Sequence, residues 1–184
     1  REKKDDVPRI FFYVRPVTER RNFELGLLAI QEIAKRRPDV EVMLAGWDVR
    51  SLVIPFRHKN LGSLREDKLA DLYAQCDMCL VWSGTNLSLL PLEIMASNSV
   101  AVCTKGPNSE WLVNEDNCIL VDFDPDQIAD KICYYLEHKK ELAEIRQKGL
   151  EFAKSTSWQA EGDKVIAAIK KGIEEDEKNI SSRW

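Results

Sequence analysis

Between Cys79 and Val102 the chain reads CLVWSGTNLSLLPLEIMASNSVAV. Two apolar runs, Met78–Trp82 and Val100–Cys103, flank a polar loop and a short helix, Pro91–Ser97, that opens on a proline. Strand, loop, helix and strand in that order are the repeating unit of a parallel α/β sheet, whose ligands gather outside the carboxyl ends of the strands. The loop Ser83–Ser88 lies at such an end, and Glu93 falls in the first turn of the helix after it. A helix start offers free N–H groups and a positive dipole end, so this stretch suits an anion.

The remaining pattern agrees with that unit. Ile10–Val14 reads as a first strand between Pro8 and Pro16, followed by the arginine-rich loop RPVTERRN. A helix over Asn22–Arg36 carries Phe23, Leu27, Ile30 and Ala34 at helical spacing. Val40–Ala45 is a second strand and Leu52–Phe56 a weaker one; Asn60–Leu64 reads as a turn into a helix over Glu66–Gln75. Cys118–Val121 is the last strand. Beyond Pro125 the pattern is helical, first behind an Asp124 cap with Ile128, Ile132, Tyr135 and Leu136 inward, then with Leu142, Ile145, Leu150 and Phe152. A final helix from Trp158 has Val165, Ile166, Ile169 and Ile173 on one face. Six strands alternating with helices predict a doubly wound, Rossmann-like sheet with right-handed crossovers. The dinucleotide fingerprint G-x-G-x-x-G is absent.

A chain of 184 residues, 44% hydrophobic, can bury the core such a sheet needs. Its net charge of −4 argues against a general nucleic-acid binder, and no run approaches the roughly 20 apolar residues that cross a bilayer. The opening REKKDD, without a methionine, reads as the start of a fragment. Cys76, Cys79, Cys103, Cys118 and Cys133 mostly sit in apolar patterns and read as reduced, buried thiols. The Cys76–Cys79 spacing lacks the second pair or histidines that a zinc site requires, so no metal is expected.

Arg15 and Arg20 emerge at the same sheet edge as Ser83–Ser88, and two guanidiniums beside a helix start make a diphosphate site. Loop arginines are also commonly just solvated. Glu93 can accept from two vicinal hydroxyls, as on a ribose, or serve only as the acid favoured in a helix's first turn. Thr85, Asn86 and Ser88 can bind a ligand or cap the turn. No nucleophile–base–orienter triad is visible.

So placed, the chain resembles the C-terminal, donor-binding half of GT-B fold glycosyltransferases of the retaining group 1 class. The likeness covers Ile10 to Val165 in five blocks: VRPVTER, NLGSL, YAQCD, TNLSLLPLEIMASNSVAV and DNCILV. The family's paired-glutamate motif has its first glutamate at Thr85, its loop glycines at Asn86 and Ser88, and its second glutamate at Glu93; its basic pair falls on Arg15 and Arg20. The variant blocks look most like bacterial rhamnosyltransferases of surface-polysaccharide assembly.

The resemblance implies that Arg15 and Arg20 are the catalytic pair that stabilises the departing diphosphate. It assigns donor binding to Asn60, Leu61, Thr85, Asn86, Leu87, Ser88, Leu89, Leu90 and Glu93. The expected substrate is a nucleoside diphosphate sugar, dTDP-rhamnose in that subfamily, with no cofactor, and with the acceptor saccharide held by an N-terminal domain outside this chain. It further implies a cytoplasmic protein, at most peripheral at the inner face of the membrane. The expected organisation is a linker at 1–9, the nucleotide-sugar domain at 10–156, a crossing helix at 157–176 and a flexible tail at 177–184. The rival reading is a GT-B-like interaction domain that binds no nucleotide sugar.

Overall fold

A computed structural model describes residue 3 and residues 5–181, with side chains as far as residue 175. Six parallel strands form one sheet in the order β3-β2-β1-β4-β5-β6. They are β1 (Arg9–Tyr13), β2 (Glu41–Ala45), β3 (Lys59–Asn60), β4 (Met78–Leu80), β5 (Val100–Thr104) and β6 (Ile119–Val121). Helices α1 (Phe23–Arg36), α2 (Glu66–Gln75), α3 (Leu90–Ala96), α4 (Pro107–Glu110), α5 (Pro125–Glu137) and α6 (Lys139–Ser155) make or follow the connections. The expected doubly wound α/β sheet is therefore the one observed.

The strands read as continuous apolar runs because both faces are covered. Alternation sorts their side chains. Ile10, Phe12, Val14, Met78, Leu80, Val100 and Val102 join α1 and α5 in one cluster. Phe11, Cys79, Val81, Ala101 and Cys103 join α2 and α3 in the other. Cys76, Cys79, Cys103 and Cys118 are buried in that second layer and Cys133 packs against the first; all five are free thiols. The α5 cap is as expected, with Asp124 accepting from the N–H groups of Asp126 and Gln127, both at 3.0 Å.

One strand is misplaced in the sequence reading. Leu52–Phe56 forms no strand; the sheet's edge strand is Lys59–Asn60, inside the segment read as a turn. Ile54 and Phe56 do pack against the first cluster, but from a loop in which Val53 is 94% exposed. Pro55 has no N–H to give to a ladder, so pairing starts only beyond it, at Met43↔Lys59.

The chain divides into two compact units, one ending at Ala153 and the other beginning at Lys154. In the second, α7 (Trp158–Ser181) leaves Val165, Ile166, Ile169 and Ile173 each more than half exposed. Of the tail expected at 177–184, residues 177–181 continue this helix and 182–184 lie outside the described residues. Of the linker expected at 1–9, residues 1, 2 and 4 lie outside them, and Arg9 already belongs to β1.

Candidate functional site

Strands β1 and β4 are neighbours, yet the chain leaves them in opposite directions, toward β2 and toward β5. The loops after such a pair part company and leave a crevice at the carboxyl edge. Here they are Arg15–Asn22 and Trp82–Leu89. The Gly84 N–H donates to the Arg20 carbonyl at 2.8 Å, which ties the two rims together. Asn108, at the start of α4, donates to the Gly84 carbonyl at 3.1 Å and steadies the loop from its other side.

Arg15 and Arg20 meet here. Arg15 donates through Nε to the Tyr13 hydroxyl at 2.8 Å, with its guanidinium 5.5 Å from the Tyr13 ring centre. Arg20 donates to the Asn86 side-chain oxygen at 2.9 Å, so both loops hold it. A third arginine, which the sequence reading passed over, completes the cluster. Arg21 is 7% exposed, also lies 5.5 Å from the Tyr13 ring centre, and reaches the Trp82 carbonyl only at 3.5 Å. Burial, with repulsion from Arg20 and Arg15, pulls its pKa below the usual value for a guanidinium. Among the described residues none of the three forms an ion pair with a carboxylate. The signal in the sequence was the density of cations in RPVTERRN, which holds a single acid.

The loop from Thr85 to Leu90 lines the other rim. Thr85 and Asn86 are exposed, Leu87 is buried and anchors the loop, and Leu89 is exposed. Ser88 takes a left-handed conformation, φ +62°, where the family pattern would put glycine. The helix starts at Leu90, one residue before the expected position, so Pro91 falls inside its first turn. Pro91 has no N–H, so one position of this first turn offers no donor, as in a helix that opens on the proline itself.

Glu93 is solvent-reachable on α3, and its carboxyl lies above the usual range because protein atoms crowd it and the Glu66 carboxylate is near. Glu66 opens α2, directly after Asn60–Leu64, so Glu93 lies on the side of the crevice toward that segment. Beneath it the Tyr73 hydroxyl is buried without a hydrogen-bond partner, and burial with Cys79 and Glu93 close by raises its pKa. Asn60 and Leu61 are at the same carboxyl rim but two strands from β1, beyond β2. Asn60 donates to Asp48 at 2.8 Å and accepts from the Gly62 N–H at 3.2 Å, so its side chain braces the turn at Gly62 (φ +61°).

A family model described as the WsaF C-terminal domain matches residues 8–133. The chain belongs to that family. As a WsaF C-terminal domain it is 34% identical over 166 residues to the O-antigen biosynthesis protein RfbC of Myxococcus xanthus. That match takes in 88% of this chain and 13% of that protein, so the chain spans a small part of its relative. Among solved structures, Anabaena HepE in complex with UDP and glucose superposes with a TM-score of 0.72 at 17% identity, over 90% of this chain and 49% of HepE. The C-terminal domain of the group 1 glycosyl transferase LpcC from Francisella tularensis gives 0.66 at 20% identity, over 81% of this chain and 85% of that domain. The WsaF domain thus has the fold of one half of a GT-B glycosyltransferase, as the motifs implied.

Proposed function

We propose that this domain binds the sugar nucleotide in an enzyme that transfers rhamnose from dTDP-rhamnose to a growing surface polysaccharide. The observation that carries the reading is the cluster of Arg15, Arg20 and Arg21 at the β1/β4 switch point, with no carboxylate on any of them among the described residues. A diphosphate across these guanidiniums leaves its ribose toward Glu93 and its base toward Asn60 and Leu61. The amides of the Leu87–Leu90 loop complete the phosphate shell. Membership in the WsaF family, the likeness to an O-antigen biosynthesis protein and the UDP and glucose held by HepE all support a nucleotide-sugar donor in polysaccharide assembly.

In the transfer, the bond from the anomeric carbon to the β-phosphate oxygen breaks and the diphosphate leaves with the electron pair. An acceptor hydroxyl, presented by a second domain, bonds to that carbon and passes its proton to the departing diphosphate oxygen. Arg15 and Arg20 neutralise the charge that grows on the leaving oxygen, and losing one such donor costs about 10²–10³ in rate. The reading puts the protein in the cytoplasm, at most peripheral at the inner face of the membrane. Calorimetry with dTDP-rhamnose and dTDP tests it. Binding that Arg20→Ala weakens is expected; no heat at millimolar ligand overturns the reading and leaves the interaction-domain alternative.

A further inference from the structure

The turn that closes α4 carries one large side chain that the core does not use. Ser109 and Val113 are buried and Leu112 packs against the second cluster, whereas Trp111, at the C-cap, is 70% exposed. Its exposure alone would say little, but this ring is held. The indole N–H, the one polar group of the side chain, donates to the Asn108 carbonyl at 3.1 Å. The Asn108 side chain donates to the Gly84 carbonyl at 3.1 Å, and the Gly84 N–H donates to the Arg20 carbonyl at 2.8 Å. Three hydrogen bonds in series therefore tie the indole to the arginine loop. With its N–H spent on the backbone, the ring offers a fixed carbon surface to whatever covers it. A plate so fixed has little freedom left to lose on binding.

Its place along the sheet edge says what that is. Asn60 and Leu61 stand at the end of β3, the arginines follow β1, Thr85 follows β4 and Trp111 follows β5, and the strand order places them in that sequence along the rim. A nucleotide with its base at Asn60 and its diphosphate at the arginines points its sugar at Thr85. Trp111 lies one strand further on, where the ring that receives the sugar has to stand. A pyranose carries hydroxyls around its edge and C–H groups across a face, and a flat indole matches that face.

We propose that Trp111 is a stacking plate for the acceptor saccharide, so that this domain grips acceptor as well as donor. The inference rests on the reading of the crevice as a sugar-nucleotide site and goes beyond it, because that reading leaves the acceptor to a second domain.

The test follows the indole N–H signals of the isotope-labelled chain by NMR, that of Trp111 being identified by its loss in Trp111→Phe. A rhamnose disaccharide is titrated in with dTDP present, and glycerol at matched hydroxyl concentration serves as control. The Trp111 signal is expected to move saturably with the disaccharide and not with glycerol, while that of Trp47, also at the carboxyl rim, stays in place. Read through the Gly84 amide, Trp111→Ala binds the disaccharide about fivefold or more weakly and Trp111→Phe falls between it and wild type. Both variants melt within about 2 °C of wild type, because the side chain is exposed, and calorimetry gives dTDP affinity within about twofold. A Trp111 signal unmoved by the disaccharide, or moved equally by glycerol, overturns the proposal. So does a Trp111→Ala variant that loses affinity for dTDP-rhamnose but not for dTDP, since the donor's own sugar would then lie on the indole. If Trp111→Ala does not fold, unchanged disaccharide affinity in Trp111→Phe overturns the proposal and weakened affinity supports it. A wild type that binds no dTDP defeats the donor-site reading itself, whereas one that binds dTDP and ignores the disaccharide defeats only this inference.

Discussion

Gly26 is the closest approach between helix and sheet under the candidate site. A Cβ built on it would lie 2.0 Å from Cζ of Phe12 and within 2.6 Å of both adjoining ring carbons. Carbon contacts settle near 3.5–4.0 Å, so Gly26→Ala has to open roughly 1.5 Å between α1 and β1. The Phe12 ring has nowhere to go, since it is fully buried, stacked on Phe23 at 6.3 Å and tilted against Trp82 at 6.0 Å. Alanine gains about 1 kcal/mol of helix propensity, and overpacking loses about 1–3 kcal/mol, with a clash this close at the upper end. The net expectation is a loss of about 1–2 kcal/mol, a melting point lower by about 2–8 °C for a chain of this size. Because α1 starts directly after Arg21 and Asn22, lifting it also moves the arginine loop, and pyrophosphate affinity falls with stability. Urea and thermal unfolding of Gly26→Ala, Phe12→Leu and the double variant form the assay. Phe12→Leu should do less harm in the alanine background, with a coupling of about 1 kcal/mol or more. An alanine variant as stable as wild type, or strictly additive effects, would refute the packing argument.

Three further outcomes follow from individual atoms. Tyr13→Phe keeps the ring under Arg15 and Arg21 but removes the oxygen that accepts from Arg15 at 2.8 Å; calorimetry should show dTDP affinity about 3–10-fold lower with the fold intact, and unchanged affinity would count against Arg15 as a positioned ligand. The carboxyl of Glu93 is raised, so the folded state favours the protonated acid and loses stability as pH climbs through and above the ordinary carboxylate range. Glu93→Gln should therefore melt higher than wild type at pH 7 and lose that advantage near pH 4, while nucleotide binding weakens; an advantage independent of pH would contradict the crowding of Glu93. At Ser88, with φ +62°, glycine should be neutral or stabilising and Ser88→Val should lose about 1–2 kcal/mol by thermal unfolding; equal effects would mean that the loop does not need its left-handed residue.

The fold was readable wherever burial is two-sided. β1, β4 and β5 announce themselves as apolar runs because a strand covered on both faces has no polar positions to confuse the pattern. The edge strand could not be read that way. Lys59 and Asn60 are polar, pair over two residues and owe their conformation to Met43 and Leu44 of β2, far back in the chain. Leu52–Phe56 had the better local propensity and still lost, because two of its apolar side chains find the core from a loop and its proline blocks a ladder. The arginine cluster was half legible. Placement in a loop after β1 singled out Arg15 and Arg20, but which of the neighbours Arg20 and Arg21 turns inward is decided by the Glu19–Arg21 turn and by Tyr13 and Trp82. No spacing rule carries that.

The loop after β4 separates departures of sequence that leave geometry intact from one that changes chemistry. Serine stands where glycine is expected at position 88, and the backbone takes the left-handed path nonetheless. Asparagine stands at 86, and its side chain is spent on holding Arg20 at 2.9 Å, so there the departure adds a contact. Thr85 differs from both. It is exposed at the rim, where the family pattern has a carboxylate, and its own N–H reaches the Ser83 hydroxyl only at 3.5 Å. A carboxylate makes charge-assisted bonds roughly twice as strong as those of a neutral hydroxyl. On the proposed reading, the arginines and Glu93 keep the nucleotide's grip while Thr85 gives up the strongest contact to the sugar. Exchanging Thr85 for glutamate should then alter which sugar is accepted far more than how tightly dTDP alone is bound.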